Sequence, residues 1–228
     1  MRAVFFDRDG VLNEVVEREG EPGSPRALSE LVVTAGAADV IHRLRAAGLR
    51  AFVITNQPDI ARGRVSAAAA DAIMAAVLSV LPLDDALVCP HDDADGCACR
   101  KPQPGMIERL AARWGVDAHA SWVVGDRWRD VEAGRAAGCR TVLLRRAYNA
   151  GVGADAVVEN LEEAGDRILS DTVPTFRLPV PSGLPTPPDP SLSPTSIGSA
   201  ALGCRLPVPG SGVMGLAGPG CNGSGMGK

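Results

Sequence analysis

The chain has 228 residues, enough for one large domain or for one domain and a tail, and 23 Lys+Arg against 27 Asp+Glu give it a net charge of −4. That balance supplies no global positive field for nucleic acid or anionic membrane. Its six cysteines (89, 97, 99, 139, 204 and 221) do not suggest a secreted disulfide scaffold at this length.

The first element is a short apolar run, Ala3–Phe6, entered after Met1 and Arg2 with no basic flank and long apolar core of a secretory signal. With no apolar run near the roughly 18 residues of a membrane helix, a cytoplasmic protein is expected. The run ends at Asp7-Arg8-Asp9-Gly10. In a strand, residues i and i+2 face the same side, so Asp7 and Asp9 present two carboxylates together, and Gly10 lets the chain turn at once. Paired carboxylates suit a hard divalent cation, and one of them can attack phosphorus while the cation suppresses its repulsion from an anionic substrate. Alone, Asp-x-Asp-Gly reads equally well as a plain turn.

Further apolar runs follow at Ala51–Ile54, Ala86–Cys89, Trp122–Val124, Thr141–Leu144 and Ala156–Val158. They alternate with helical patterns over Ala35–Ala47, Ser66–Leu81, Pro104–Trp114, Arg129–Ala137 and Asn160–Leu169. Gly48, Gly115 and Gly138 stand where helix C-caps belong. Strand alternating with helix predicts an α/β, Rossmann-like parallel sheet with helices on both faces, whose ligands bind at the carboxyl ends of the strands. Chemically rich residues fall at those ends. Thr55-Asn56-Gln57 closes the second run, Cys89 opens a loop that reaches Arg100-Lys101-Pro102, and Gly125-Asp126-Arg-Trp-Arg-Asp130 closes the fourth. Thr55 and the amides around Asn56 are donors for phosphate oxygens, Lys101 is a point charge for a phosphoryl group, and Asp126 is a third oxygen ligand for Mg²⁺.

These four motifs, in this order over about residues 1–150, resemble the haloacid dehalogenase superfamily of phosphohydrolases. The resemblance implies Asp7 as the nucleophile that forms an aspartyl-phosphate. It implies Asp9 as the acid/base that protonates the leaving alcohol and then activates water. Thr55 and Lys101 would hold the phosphoryl group. Asp126 would bind Mg²⁺ with Asp7 and the Asp9 backbone carbonyl, and Asp130 would brace Lys101 or a metal-bound water. Members that transfer phosphate or cleave carbon–halogen bonds often lack the second aspartate, so Asp9 favours a phosphatase.

Cys89-Pro-His91-Asp-Asp-Ala-Asp-Gly-Cys97-Ala-Cys99 gathers three thiols and an imidazole into eleven residues, a Cys₃His set for a structural Zn²⁺. A zinc-fixed loop would aim Lys101. The pattern is similar to that of the histidinol-phosphate and heptose-bisphosphate phosphatases. The five residues between His91 and Cys97 lean toward the histidinol-phosphate side. Against that, Asn56-Gln57-Pro-Asp-Ile60-Ala61-Arg62-Gly63 resembles the heptose branch, whose usual wording has Ser and Gly in place of Pro58 and Asp59. Arg62 would reach a second, distal phosphate, while Asp59 adds a negative charge near an anionic ligand. Thr55, Asn56, Arg62, Arg100 and Lys101 are therefore the expected substrate contacts, and a heptose-type sugar bisphosphate is the favoured substrate over histidinol phosphate.

Two rivals of other kinds are a non-catalytic phosphate-binding module and a polynucleotide 3′-phosphatase. The first would be expected to lack Asp7, Asp9, Lys101 or Asp126, and the second to carry a basic, aromatic-bearing face. A monomer acting on a small phosphorylated metabolite, with no nucleic-acid or membrane partner, is expected. His42 and His119 read as solvated, Cys139 as core, and Trp128 as packing near the site mouth. Composition breaks near Ser170: residues 1–170 form the catalytic domain, with no cap domain, and residues 171–228 read as a disordered Pro/Gly/Ser-rich tail, with Cys204 and Cys221 unassigned.

Overall fold

The computed structural model describes residues 1–172; the disorder expected for the tail lies, from residue 173 on, outside the described residues. Six apolar runs become β1 (Arg2–Phe6), β4 (Leu49–Asn56), β5 (Asp85–Cys89), β6 (Trp122–Gly125), β7 (Arg140–Leu144) and β8 (Ala156–Val158). They form one sheet in the order β5-β4-β1-β6-β7-β8, with every neighbouring pair parallel. β1 is central. The chain builds outward from it through β4 to β5, then returns to its other side for β6, β7 and β8. This reversal is the topological switch point at which such sheets bind ligands.

The continuous apolar character of the central strands follows from burial on both faces. On β1, Val4 and Phe6 join the core beneath α1 (Ala37–Ala46), α3 (Ala67–Val80) and α6 (Leu161–Thr172). Ala3 and Phe5 join the core beneath α4 (Gly105–Trp114) and α5 (Trp128–Ala136). Each buried Val, Ile, Leu or Phe contributes about 1.5–3 kcal/mol. The second layer is further fixed by tilted rings, Phe5 on Phe52 at 5.4 Å between centroids and Phe52 on Trp114 at 5.6 Å. A frame anchored from both sides holds the strand ends, and whatever they carry, in place. None of the described helices is long and apolar enough to cross a membrane.

Boundaries differ from expectation where tertiary contacts decide them. α6 runs to Thr172, past the composition break near Ser170, because Asp171 pairs with Arg140 and Arg167 at 3.0 and 3.3 Å. The stretch between β1 and α1 is not a plain loop. It holds a hairpin, β2 (Val16–Arg18) with β3 (Glu21–Gly23), whose turn residues Glu19 and Gly20 both have positive φ, as a type I′ turn requires. A one-turn helix, α2 (Pro58–Ala61), precedes α3. Among the described residues no separate cap domain stands over the strand ends. β7 and β8 are joined without a helix, by a segment carrying a 3₁₀ turn at Ala147–Asn149.

Candidate active site

The ends of β1, β4 and β6 deliver Asp7, Thr55 and Asp126, and the loop after β5 delivers Lys101. Lys101 is 2 % exposed, and each of its three ammonium protons has an acceptor: the Ile54 carbonyl at 2.9 Å, Asp7 Oδ1 at 2.8 Å and Asp130 Oδ1 at 2.5 Å. Asp7 Oδ1 also accepts from the Arg8 amide at 2.8 Å, while Oδ2 accepts from none of the described residues. Asp130 uses its other oxygen to cap its own helix, accepting from the Arg127 amide at 2.9 Å. That carboxylate packs directly over Gly125, where a Cβ would lie 2.1 Å from the Asp130 Cβ, so a side chain there would expel it.

One carboxylate oxygen from each of Asp7, Asp126 and Asp130 lies within 4.8 Å of the others, all three residues being buried. Three carboxylates against one ammonium leave the charge of a divalent cation uncompensated. The titration of the cluster reflects this. Burial, reinforced by repulsion from Asp130, Asp126 and Asp9 and opposed by Lys101, pushes Asp7 up to about 8. Burial and Asp130 push Asp126 up to about 6. Asp126 Oδ1 is buried without a hydrogen-bond partner, an expensive state for a carboxylate oxygen unless a ligand completes it. Gly10, at φ +83°, makes room for Asp126: a Cβ there would lie 2.2 Å from Asp126 Oδ2. Hard oxygen donors, an orphaned oxygen and missing positive charge all fit Mg²⁺.

Asp9 is oriented by five donors: Arg8 Nε and Nη2 and Asn13 Nδ2 at 3.0 Å, Ser24 Oγ at 2.8 Å and Gln57 Nε2 at 2.7 Å. The Gln57 amide also donates to Thr55 Oγ1 at 2.8 Å, which leaves the Thr55 proton free to donate elsewhere. Asn56, expected as a phosphate contact, has its side chain committed to Lys101, donating to its carbonyl and accepting from its amide, both at 3.0 Å. It therefore acts on the site through Lys101.

The second cluster assembles as the spacing predicts. Cys89, His91, Cys97 and Cys99 bring their ligand atoms within 4.8 Å of one another, with the three Sγ atoms 3.3–3.7 Å apart and His91 Nδ1 3.5 Å from Cys89 Sγ and 3.3 Å from Cys99 Sγ. Four ligands around a tetrahedral Zn²⁺ with Zn–S near 2.3 Å would stand roughly 3.5–3.8 Å apart. Burial pushes the Cys89 thiol up to about 12. Cys89 is the strand partner of Asn56, so this loop leaves the sheet beside the residue that brackets Lys101.

Seven arginines line the cleft of about 670 Å³ that opens over Asp7. Asp93 of the cysteine loop holds Arg100 at 2.8 Å and Arg129 at 2.5 Å, and Asp92 grips Arg62 in a fork at 2.6 and 2.7 Å. Asp59 does not face an anionic ligand unopposed: Arg26 lies 2.8 Å away, Arg64 3.4 Å and Arg62 3.8 Å. Trp128, expected to pack, is instead 48 % exposed, and Arg129 lies 5.1 Å over its ring. His42 and His119 are exposed and Cys139 is buried, as the sequence suggested.

Sequence reasoning missed Arg8, Ser24, Asn13, Gln57 and Tyr148. Gln57 sits within a motif singled out for Thr55 and Asn56, whereas Ser24 and Tyr148 reach Asp9 and Asp126 from segments with no motif at all.

Residues 98–173 match the HAD-hydrolase-like family model. The D-glycero-beta-D-manno-heptose-1,7-bisphosphate 7-phosphatase of Pseudomonas aeruginosa is 36% identical over 147 residues, 62% of this chain and 80% of that protein. The enzyme of the same name from Bordetella bronchiseptica is 34% identical over 176 residues, 75% of this chain and 93% of that protein. A crystal structure of D,D-heptose 1,7-bisphosphate phosphatase from B. bronchiseptica, complexed with magnesium and phosphate, superposes with a TM-score of 0.65 at 31% identity. It covers 75% of this chain and 99% of that one. The fold, the order of the site's residues along it and these relatives agree: the chain belongs to the haloacid dehalogenase-like phosphoric monoester hydrolases, in the branch of the D,D-heptose 1,7-bisphosphate phosphatases.

Proposed function

We propose that the chain removes one phosphate from a heptose-type sugar bisphosphate, with Asp7 as the covalent nucleophile. The observation that carries this reading is Asp7 itself, fixed through Oδ1 by Lys101 and the Arg8 amide while Oδ2 accepts from no described residue. Asp7 Oδ2 attacks phosphorus and the bond to the sugar oxygen breaks, leaving an aspartyl-phosphate and an alkoxide. Asp9 delivers a proton to that alkoxide and afterwards takes one from the water that hydrolyses the aspartyl-phosphate. Lys101 and the Thr55 hydroxyl hold the phosphoryl oxygens, and Asn56 and Asp130 keep Lys101 in place.

Asp7, Asp126 and the Asp9 backbone carbonyl are the proposed Mg²⁺ ligands, and the ion when bound neutralises the charge shared by carboxylate and phosphate. Asp130, committed to Lys101 and the Arg127 amide, is assigned a bracing role. Cys89, His91, Cys97 and Cys99 are proposed to hold a structural Zn²⁺.

The arginine-lined rim supports a substrate with a second anionic group, and the similarity to heptose 1,7-bisphosphate phosphatases supports heptose 1,7-bisphosphate. Arg62 and Arg100, both lining the cleft and both presented by carboxylates of the cysteine loop, are the proposed readers of that group. The test compares kcat/KM on heptose 1,7-bisphosphate and on histidinol phosphate. The bisphosphate is expected to be preferred, and Arg62→Ala to lose roughly tenfold on it while leaving a monophosphate almost unchanged. A preference for histidinol phosphate, or an Arg62→Ala enzyme that handles the bisphosphate like wild type, would overturn the assignment.

A further inference from the structure

The helix-free connection between β7 and β8 grips the carboxylate cluster with three residues of one turn. Arg146 Nη2 donates to the Gly10 carbonyl at 2.9 Å. Tyr148 Oη donates to Asp126 Oδ2. Asn149 Nδ2 donates to the Asp126 backbone carbonyl at 2.8 Å and to the Leu144 carbonyl at 2.7 Å. Asn149 Oδ1 accepts from the Arg146 amide at 3.0 Å, which closes the turn on itself. The Arg127 guanidinium lies 5.1 Å over the Tyr148 ring and fixes it from the other side.

Asp126 consequently has two oxygens in different states. Oδ2 is taken by the phenol, and Oδ1 is buried with no partner. Gly10 keeps the meeting point open, since a Cβ there would lie 2.2 Å from Asp126 Oδ2 and 3.2 Å from Tyr148 Oη.

We propose that Tyr148 is a positioning residue that offers the cation a single oxygen of Asp126 and thereby favours Mg²⁺ over Ca²⁺. The proposal rests on the reading of Asp126 as a cation ligand. Mg²⁺ demands near-ideal octahedral geometry at 2.0–2.1 Å, which single oxygens satisfy. Ca²⁺ takes 6–8 ligands at 2.3–2.6 Å and accepts a carboxylate through both oxygens. Without the phenol, Asp126 is free to rotate and to share both, so the site loses its bias toward the smaller ion.

The test is calorimetric titration of Mg²⁺ and of Ca²⁺ into the substrate-free full-length chain, for wild type, Tyr148→Phe, Arg145→Ala and Asp126→Asn. Tyr148→Phe keeps the ring against Arg127 but removes the donor to the buried Asp126 Oδ2, so the chain should still fold, with a metal-free melting temperature lower by a few degrees. Its Mg²⁺ affinity should fall about tenfold, as for other partners that orient metal ligands, and its Ca²⁺ affinity by less, narrowing the preference. Arg145→Ala removes a side chain of the same segment that pairs with Glu159 at 2.8 Å, and should bind both ions like wild type. Asp126→Asn should lose Mg²⁺ binding. Retention of wild-type Mg²⁺ affinity by Asp126→Asn would sink the cation reading and this proposal with it. With that variant inactive in binding, a Tyr148→Phe chain that binds Mg²⁺ like wild type, or loses both ions equally, would overturn the role of Tyr148 alone.

Discussion

Asp7→Asn is expected to abolish turnover, by on the order of 10⁴-fold or more, in a chain that still folds. The amide is nearly isosteric with the carboxylate, and its oxygen can still accept from Lys101 and from the Arg8 amide, each 2.8 Å from the native Oδ1. What it cannot do is attack phosphorus. Phosphate-release assays measure the loss. Trapping the wild-type aspartyl-phosphate site with a metal-fluoride analogue, and failing to do so in the variant, separates a missing nucleophile from misfolding. Wild-type-like turnover by Asp7→Asn would refute the mechanism.

The same substitution has a signature in stability. Asp7 sits at about 8 in the metal-free fold, above its ordinary carboxylate value, so between about pH 4 and pH 8 the folded chain holds a proton that the unfolded chain has released. Stability is therefore expected to fall as pH rises across that window in the presence of a chelator, with Asp126, at about 6, contributing in its lower half. An amide at this position has no such proton to hold, so the slope should flatten in Asp7→Asn. Melting temperatures recorded against pH in EDTA provide the measurement, and parallel curves for the two chains would contradict the assignment.

The parts of the site that the sequence reveals are those carried on strand ends. Asp7, Thr55, Cys89 and Asp126 each close an apolar run, and parallel pairing of β4 and β6 with central β1, and of β5 with β4, then brings them to one edge by geometry alone. Asp130 is legible for a related reason, since it lies one helical turn beyond Asp126. What stays hidden comes from segments without period. The hairpin Val16–Arg18/Glu21–Gly23 is too short and too polar to announce itself, yet Ser24 just beyond it binds Asp9. Tyr148 lies in a 3₁₀ turn and meets Asp126 only because the β7–β8 connection folds back over the sheet's edge. Asp59 and Asn56 show the opposite failure. Their residue types suggested repulsion from a substrate and direct contact with one, but their partners were elsewhere in the chain.

Loss of one of the proposed zinc ligands is expected to reach Lys101 through the backbone. The loop from Pro90 to Arg100 has one short 3₁₀ turn, Asp93–Asp95, and little apolar packing of its own. What organises it is the convergence of Cys89, His91, Cys97 and Cys99, together with Arg100, which donates to the His91 carbonyl at 3.1 Å and to Asp93 at 2.8 Å. Lys101 follows at once, bracketed by Asn56, whose strand partner is Cys89. Cys97→Ser should therefore remove a bound zinc and lower the melting temperature by roughly 10 °C, the scale of a few kcal/mol in a domain of this size. It should also weaken inhibition by inorganic phosphate about tenfold as Lys101 loosens, an effect that a purely local unfolding of the loop would not produce. Cys139→Ala, a buried thiol that shares this core layer but is not among the four converging ligands, should keep its zinc and its phosphate affinity even if it melts earlier. Elemental analysis of chain purified without added metal, combined with melting and phosphate-inhibition curves for both variants, decides the matter. A chain that carries no zinc, or a Cys97→Ser variant that melts and binds phosphate like wild type, would remove the metal from this loop and leave its order to Arg100 and Asp93 alone.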